Sequence, residues 1–124
     1  TRDLNTLSGN AGAMVTLSSN QFTLTAGKYF LEGSAPANEV LGHKTRIRNI
    51  TDTATEFLGT SEESGGNGDF FTNRSHVCGY IDISSTKTFE FQHRGSRTEG
   101  TDGFGQSVGW DTEVYAILKI FVLE

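Results

Sequence analysis

Residues 113–124 read EVYAILKIFVLE, and this stretch decides how the rest of the chain is interpreted. In a β-strand, alternate side chains point to opposite faces. One face of this strand would carry Val114, Ala116, Leu118, Ile120 and Val122, and the other Tyr115, Ile117, Lys119, Phe121 and Leu123. Both faces are apolar, and the remaining sequence offers no helix to cover the second one. The stretch therefore predicts an obligate oligomer in which another chain covers this strand.

Strand patterns separated by turn residues recur upstream of this stretch. No segment places apolar residues at the i, i+3, i+4, i+7 spacing of a helix over three turns. About eight short strands at this spacing predict an all-β sandwich or barrel. Strands are expected at residues 13–18, 22–24, 28–32, 43–51, 55–60, 76–84, 87–94 and 113–124, with loops at 33–38, 61–73 and 95–112.

The composition indicates one small domain. The 124 residues are 35% apolar and include 15 Gly and one Pro, which suits a thin sandwich with many loops. The net charge is −5 and the Lys and Arg residues are scattered along the chain, so we expect no nucleic-acid partner. No apolar run approaches the ~18 residues of a membrane-spanning helix, so we expect no membrane insertion. The single cysteine, Cys78, excludes an intrachain disulfide.

No sequence pattern predicts catalysis, a cofactor or a metal site. His76 and Cys78 would be about 6–7 Å apart on one strand face, which favours packed interface residues over a thiolate nucleophile. The glycine-rich run 103–109 lacks the spacing and the following helix of a dinucleotide site. His43 and His93 lie on different strands, so a histidine cluster stays open. We therefore expect neither an enzyme nor a bound metal or cofactor.

The two long loops, 61–73 and 95–112, could bind a ligand or serve as plain connections, and both alternatives stay open. The acidic residues of the first loop do not have the spacing of a calcium-binding loop, so a solvated acidic loop is the better interpretation. Aromatic side chains beside the loops can stack on a sugar, anchor a protein or cap the sandwich: Phe70, Phe71, Phe104 and Trp110. Capping is favoured for Phe70 and Phe71, and Trp110 stays open.

Several segments resemble the tumour necrosis factor-like jelly rolls at the C-terminal tips of phage tail-fibre and tail-spike proteins. Residues 17–29, LSSNQFTLTAGKY, contain an F-x-L-x-x-G-x-Y element that resembles the early strand pair of this superfamily. Segments that resemble the phage domains are 33–37, 48–52, 59–62, 91–94 and 102–105, and residues 113–120 resemble the last strand of the superfamily. One departure is Thr25, where phage relatives often carry Pro.

The resemblance implies that residues 1–124 form a single antiparallel jelly-roll β-sandwich, assembled as a three-fold trimer with the last strand near the axis. It also implies the C-terminal domain of a longer fibre or spike chain, an expectation that the start at Thr1 supports. The implied core contains Val114, Leu118, Ile120 and Val122 together with Phe22, Leu24, Tyr29, Val77, Ile81, Phe89 and Phe91. The residues implied to face neighbouring subunits are His76, Cys78, Tyr80, Tyr115, Ile117, Lys119 and Phe121.

Lys119 is the difficult residue of this expected interface. Three ammonium groups near an axis repel one another unless each meets a carboxylate or reaches outward to solvent. The candidate carboxylates are those of Glu90 or Asp82 of a neighbouring subunit.

The function implied is host attachment by a homotrimeric module of the virion, outside the cell, that binds a glycan or a protein of the host surface. Candidate ligand residues in the two loops are Glu62, Glu63, Asn67, Asp69, Phe104 and Trp110. The negative net charge disfavours simple adhesion to an anionic polysaccharide and favours specific sugar or protein contacts. The alternatives are a structural domain that only locks a fibre trimer, a secreted signalling ligand of the tumour necrosis factor type, and a depolymerase with two carboxylates in a cleft.

Overall fold

The computed structural model describes residues 1–9, 12–66, 68 and 71–123. Within these ranges the chain forms eight β-strands and one short 3₁₀ turn, and no α-helix. The strands are β1 (Val15–Ser18), β2 (Gln21–Leu24), β3 (Gly27–Asn38), β4 (Gly42–Asn49), β5 (Ala54–Glu63), β6 (Thr72–Ile83), β7 (Lys87–Gly95) and β8 (Ile117–Leu123). Every strand pair is antiparallel, which confirms the predicted all-β, antiparallel class.

The strands form two sheets that share one core. The larger sheet has the order β1-β2-β7-β4-β5, and the smaller sheet has the order β6-β3-β8. In the larger sheet, Phe22 of β2 lies opposite Phe89 of β7. In the smaller sheet, Phe30 of the central strand β3 lies opposite Tyr80 of β6 and Phe121 of β8. Strands from distant parts of the sequence are therefore neighbours in both sheets, as in a β-sandwich.

The core lies between the sheets and consists of alternate, inward-facing residues of the strands. Seven of the residues expected in the core are buried, which confirms that part of the prediction: Phe22, Leu24, Tyr29, Val77, Ile81, Phe89 and Phe91. The rings of Phe22 and Phe89 stack with their centroids 5.4 Å apart. The buried hydroxyl of Tyr29 donates a hydrogen bond to the carbonyl oxygen of Thr25 (2.8 Å). Burial of a large apolar side chain in this core stabilises the fold by ~1.5–3 kcal/mol relative to its exposure to water.

Strand β3 continues to Asn38, so the prediction of a loop at residues 33–38 is wrong. Pro36 lies within the strand, opposite Arg74 of β6. The pairing of β3 with β8 stops at Ser34, so the far side of Pro36 is an open strand edge. A proline is tolerated at an edge because its missing N–H removes no ladder hydrogen bond there.

Strand β8 begins at Ile117 rather than at Glu113. If the β3–β8 register continued past Ser34, Tyr115 would lie opposite Pro36, which has no N–H to donate. The guanidinium of Arg74 donates instead to the carbonyl oxygens of Ser34 (3.1 Å) and Tyr115. The β3–β8 ladder therefore ends before Pro36, and Arg74 donates hydrogen bonds to the carbonyl oxygens at that point.

The late start of β8 changes which residues of the last stretch reach the core. Leu118 and Ile120 pack against the core as expected. Val114 precedes the strand and is 66% exposed, so its expected place in the core is wrong. Val122 near the end of β8 is also exposed, because β8 is an edge strand at the rim of the smaller sheet.

Three connections are hydrogen-bonded to one another at one end of the sandwich, and we define this end as the capped end. The backbone N–H of Leu41 donates to the carbonyl oxygen of Gly65 (2.9 Å), and that of Ser64 donates to the carbonyl oxygen of Leu41 (3.0 Å). The N–H of Asn38 donates to the carbonyl oxygen of Gly103 in the connection after β7 (3.0 Å). The described parts of these loops are thus part of the folded body.

Candidate functional site

The outer face of the three-stranded sheet carries ordered rows of side chains, and we define it as the β6-β3-β8 face. The rows that run across the strands are Tyr80-Phe30-Phe121, Cys78-Glu32-Lys119 and His76-Ser34-Ile117. The ring centroids of Phe30 and Phe121 lie 6.1 Å apart. Tyr80 and Phe121 are 52% and 47% exposed, so a single chain leaves an aromatic row in contact with water. Apolar side chains that lie side by side on a protein surface are typical of interaction surfaces.

Most of the residues expected at the subunit interface lie on this one face. They are His76, Cys78, Tyr80, Ile117, Lys119 and Phe121. Tyr115 lies elsewhere, because it precedes β8 and its ring packs against Gly105, where an added Cβ would be 2.3 Å from the ring. Sequence reasoning missed Phe30 and Glu32 on this face. The alternation within β3 was the available signal, since it separates them from buried Tyr29 and Leu31.

On the β6-β3-β8 face, residues of opposite charge lie at paired positions on neighbouring strands. Lys119 of β8 lies directly opposite Glu32 of β3, and opposite charges at such positions stabilise a sheet by ~0.2–1 kcal/mol. Of the two expected carboxylates, Asp82 lies on this face opposite Lys28. Glu90 lies on the outer face of the larger sheet, where hydrogen bonds from the side chains of Gln21 (3.0 Å) and Gln92 (2.6 Å) hold its pKa below the ordinary value.

A cavity of about 270 Å³ opens between β6 and the chain segment that precedes β8, and we define it as the loop cavity. Trp110 lines it, and its indole is 78% exposed. The carboxylate of Glu113 accepts hydrogen bonds from the backbone N–H groups of Val108 (2.9 Å) and Gly109 (2.7 Å), which fixes the turn before Trp110. The guanidinium of Arg74, whose pKa is lowered by burial, forms a polar part of the wall. A concave site with an exposed ring and few polar groups suits a sugar ring.

The expected ligand residues do not come together in one site. Trp110 lines the loop cavity, whereas Phe104 lies at the capped end. Glu62 and Glu63 are the last residues of β5 rather than part of a loop, and they lie opposite His43 and Gly42 of β4. Two of the expected ligand residues, Asn67 and Asp69, lie outside the described residues, as does Phe70.

Phe104 covers a polar cluster at the capped end. Its ring stacks on His93 with centroids 5.7 Å apart, and the guanidinium carbon of Arg2 lies 4.6 Å from the ring centroid. Nδ1 of His43 and Nε2 of His93 are 2.9 Å apart, and Nε2 of His43 is 2.8 Å from the amide oxygen of Asn73. The histidine cluster left open by the sequence therefore exists as a hydrogen-bonded pair, and Phe104 packs on it.

Burial controls the protonation of this cluster. Burial, followed by the charge of Arg2 and the neighbouring His43, lowers the pKa of His93 to about 3. Burial also lowers the pKa of Arg2 to about 10, so the guanidinium still carries its charge at neutral pH. Two buried nitrogens of this cluster have no hydrogen-bond partner among the described residues, Nη1 of Arg2 and Nδ1 of His93. The cluster thus holds a neutral His93 beside a cationic Arg2.

The described side chains include no group of three or more His, Cys, Asp and Glu residues that could hold a metal ion. The facing nitrogens of His43 and His93 are used in their mutual hydrogen bond. Among the described residues, no helix is long and apolar enough to cross a membrane. No protein-family model and no curated protein matches this chain.

Proposed function

We propose that this chain is the trimeric attachment head of a phage tail fibre or tail spike, which binds a glycan or protein of the host surface. The observation that carries the proposal is the aromatic row Tyr80-Phe30-Phe121 on the β6-β3-β8 face. Interfaces of homo-oligomers are more apolar than ordinary protein surface. Three copies arranged about a three-fold axis bury these rows against one another.

The strand pairing supports a jelly-roll connection. The pairs β4–β5, β3–β6 and β2–β7 are nested, as they are in one long hairpin whose two arms are rolled together into a sandwich. From β2 onward, successive strands along each arm also alternate between the two sheets: β2 and β4 belong to the larger sheet and β3 to the smaller, and β5 and β7 belong to the larger sheet and β6 and β8 to the smaller. This winding leaves β8 on the smaller sheet, beside the central strand β3.

The charges on the proposed interface also support a trimer. Lys119 is the residue that would repel its copies near an axis, and Glu32 of the same subunit lies opposite it. The two side chains form no ion pair among the described residues of the single subunit, so the proposal requires Glu32 to pair with Lys119 when assembly takes both away from water.

The loop cavity is the proposed place for a host-surface sugar. Trp110 offers an exposed ring for stacking, and the turn that carries it is held by Glu113. A trimer displays three copies of this cavity, and linked weak sites give a higher overall affinity without additional contacts.

Light scattering of the purified domain tests the assembly. The expected mass is three times 13.5 kDa. Phe121→Glu and Tyr80→Glu each place a carboxylate in the aromatic row that the proposed trimer buries, so we expect folded monomers from both variants. Leu58→Glu is the matched control, because Leu58 is an exposed apolar residue of the larger sheet, and this variant stays trimeric. A wild-type domain that is monomeric in dilute solution overturns the proposal.

A glycan array and adsorption to bacterial cells test the attachment role. We expect the wild-type trimer to bind and Trp110→Ala to lose binding to uncharged glycans while it keeps the trimer mass. Removal of Trp110 takes away the stacking surface without touching the β6-β3-β8 face. A trimer that binds neither glycans nor cells favours the alternative, a structural domain that only locks the fibre.

A further inference from the structure

The outer face of the larger sheet gathers positive charge that is scattered in the sequence. Four of the ten Lys and Arg residues alternate with inward-facing residues along β4 and β7, and we define them as the basic face: Lys44, Arg46, Arg48 and Arg94. The whole chain has a net charge of −5. Since salt confines electrostatic interactions to about 8–10 Å, a ligand at this face responds to the local cations rather than to the net charge.

Three cations of the basic face, Lys44, Arg46 and Arg94, have no carboxylate opposite them in the sheet, whereas Arg48 lies opposite Glu90 of β7. None of the four forms an ion pair with any residue of the described ranges. Lys44 and Arg94 lie directly opposite each other across the β4–β7 ladder. Like charges in this position destabilise a sheet. The fold therefore retains a repulsive pair that a bound anion would stabilise.

The basic face borders a cavity of about 420 Å³ whose wall includes Lys44, Arg46 and Arg94. Nε of Arg46 donates to the amide oxygen of Gln92 (2.7 Å), and Nε2 of Gln92 donates to the carboxylate of Glu90 (2.6 Å), so the guanidinium is held in place. Leu58, also in the wall, is exposed and apolar. Cations, an amide and an apolar contact match the acidic group, the hydroxyls and the C–H face of a charged sugar.

We propose that the basic face binds an acidic polysaccharide, with the acidic groups of neighbouring sugars held by Lys44, Arg46 and Arg94. The choice of a polysaccharide over another polyanion rests on the proposed attachment function. A single-stranded nucleic acid fits less well, because the described residues of the cavity wall include no Phe, Tyr or Trp on which a base could stack. The net charge led to the expectation that anionic polysaccharides are disfavoured. This expectation does not hold at the basic face, because the local charge there is positive.

The test measures binding of the purified domain to polygalacturonate and dextran sulfate, which separate carboxylate from sulfate recognition. Methyl-esterified polygalacturonate supplies the same sugar backbone without charge, and an oligothymidylate supplies a non-sugar polyanion. We expect binding to at least one acidic polysaccharide, weakened by added salt. Lys44→Gln and Arg94→Gln each lower the affinity about tenfold, since each removes a charge-assisted hydrogen bond. Both variants also relieve the Lys44–Arg94 repulsion, so their thermal melting temperatures do not fall.

The control variant is Lys87→Gln, which makes the same change in net charge at the other end of β7. It leaves the affinity unchanged. Three binding results would overturn the proposal: no binding to either acidic polymer, equal binding to the methyl ester, or tighter binding to oligothymidylate. A loss of affinity in Lys87→Gln as large as in Lys44→Gln and Arg94→Gln would also overturn it. Light scattering of the same samples separates the two proposals. A monomer that binds an acidic polysaccharide contradicts only the proposed trimer. A trimer that binds neither acidic polysaccharide contradicts only the proposed site on the basic face.

Discussion

At the scale of single residues, Gly59 of β5 shows how closely the strands approach one another. A Cβ added there would lie 2.1 Å from Oγ1 of Thr45 and 2.9 and 3.0 Å from the carbonyl oxygens of Thr45 and His76. Backbone oxygens cannot move aside as a side chain can. We therefore expect Gly59→Ala to lower the free energy of unfolding by ~1–3 kcal/mol in urea denaturation.

Gly100→Ala is the matched control for this prediction. An added Cβ at Gly100 meets no atom within 4 Å, so the change should stay within about 0.5 kcal/mol of the wild type. Equal stability of the Gly59 and Gly100 variants would show that β5 can move away from β4 and β6 at no cost.

At the scale of elements, Arg74 holds the chain together at the point where the β3–β8 ladder ends. Its guanidinium donates to Oγ (2.8 Å) and to the carbonyl oxygen of Ser34, and to the carbonyl oxygen of Tyr115. Arg74→Met keeps most of the apolar stem and removes these donors. We expect a loss of ~1–3 kcal/mol in the free energy of unfolding, and faster amide hydrogen exchange at the start of β8 but not in β2 or β7.

Arg48→Met provides the comparison, because Arg48 makes a single longer hydrogen bond, to Oγ1 of Thr55 (3.3 Å). Its stability should change little, since it lies on the outer face of the larger sheet. Unchanged exchange at residues 115–118 in Arg74→Met would mean that the packing of Leu118 and Ile120 alone fixes the start of β8.

The same elements show what the sequence could and could not predict. Alternation located most strands, because apolar side chains at every second position are buried on one face wherever the chain pairs. It failed at residues 33–38, where small residues and Pro36 are typical of a loop. Their strand conformation depends on β6, whose pairing residue Arg74 lies far along the chain. The start of β8 was misplaced for the related reason that Pro36 ends the ladder.

At the scale of the whole molecule, pairing across long sequence distances created the surfaces that matter. The sequence indicated that Tyr80 and Phe121 face away from the core, but their alignment with Phe30 needed the register of three strands. Lys44 and Arg94 become neighbours only because β4 pairs with β7. A list of charged positions cannot reveal such a pair. The loop that carries Trp110 was located, but its cavity depends on β6 and on Tyr115.

The polar cluster at the capped end makes the free energy of unfolding of the whole chain depend on pH. It joins the N-terminal segment (Arg2), β4 (His43), β6 (Asn73), β7 (His93) and the long connection that carries Phe104. The pKa of His93 falls from 6.5 to about 3 on folding, because burial and the nearby Arg2 oppose its charged form. On acidification the unfolded chain therefore binds a proton at His93 before the folded chain does. The stabilisation that comes from this lowered pKa is fully present above pH 6.5 and decreases as the pH falls toward 3.

Urea denaturation between pH 7.5 and about 5.5 measures this effect before the carboxylates contribute. Glu90 and Asp52 have folded pKa values below their ordinary 4.5 and 3.8, so their stabilisation is lost only at lower pH. We expect the wild-type free energy of unfolding to fall on acidification with a slope of up to ~1.4 kcal/mol per pH unit relative to His93→Gln. Gln cannot titrate but can still hydrogen-bond to His43. Parallel profiles for the two proteins would mean that His93 takes up its proton in the folded state as easily as in the unfolded chain, and that the capped end opens to water without unfolding the sandwich.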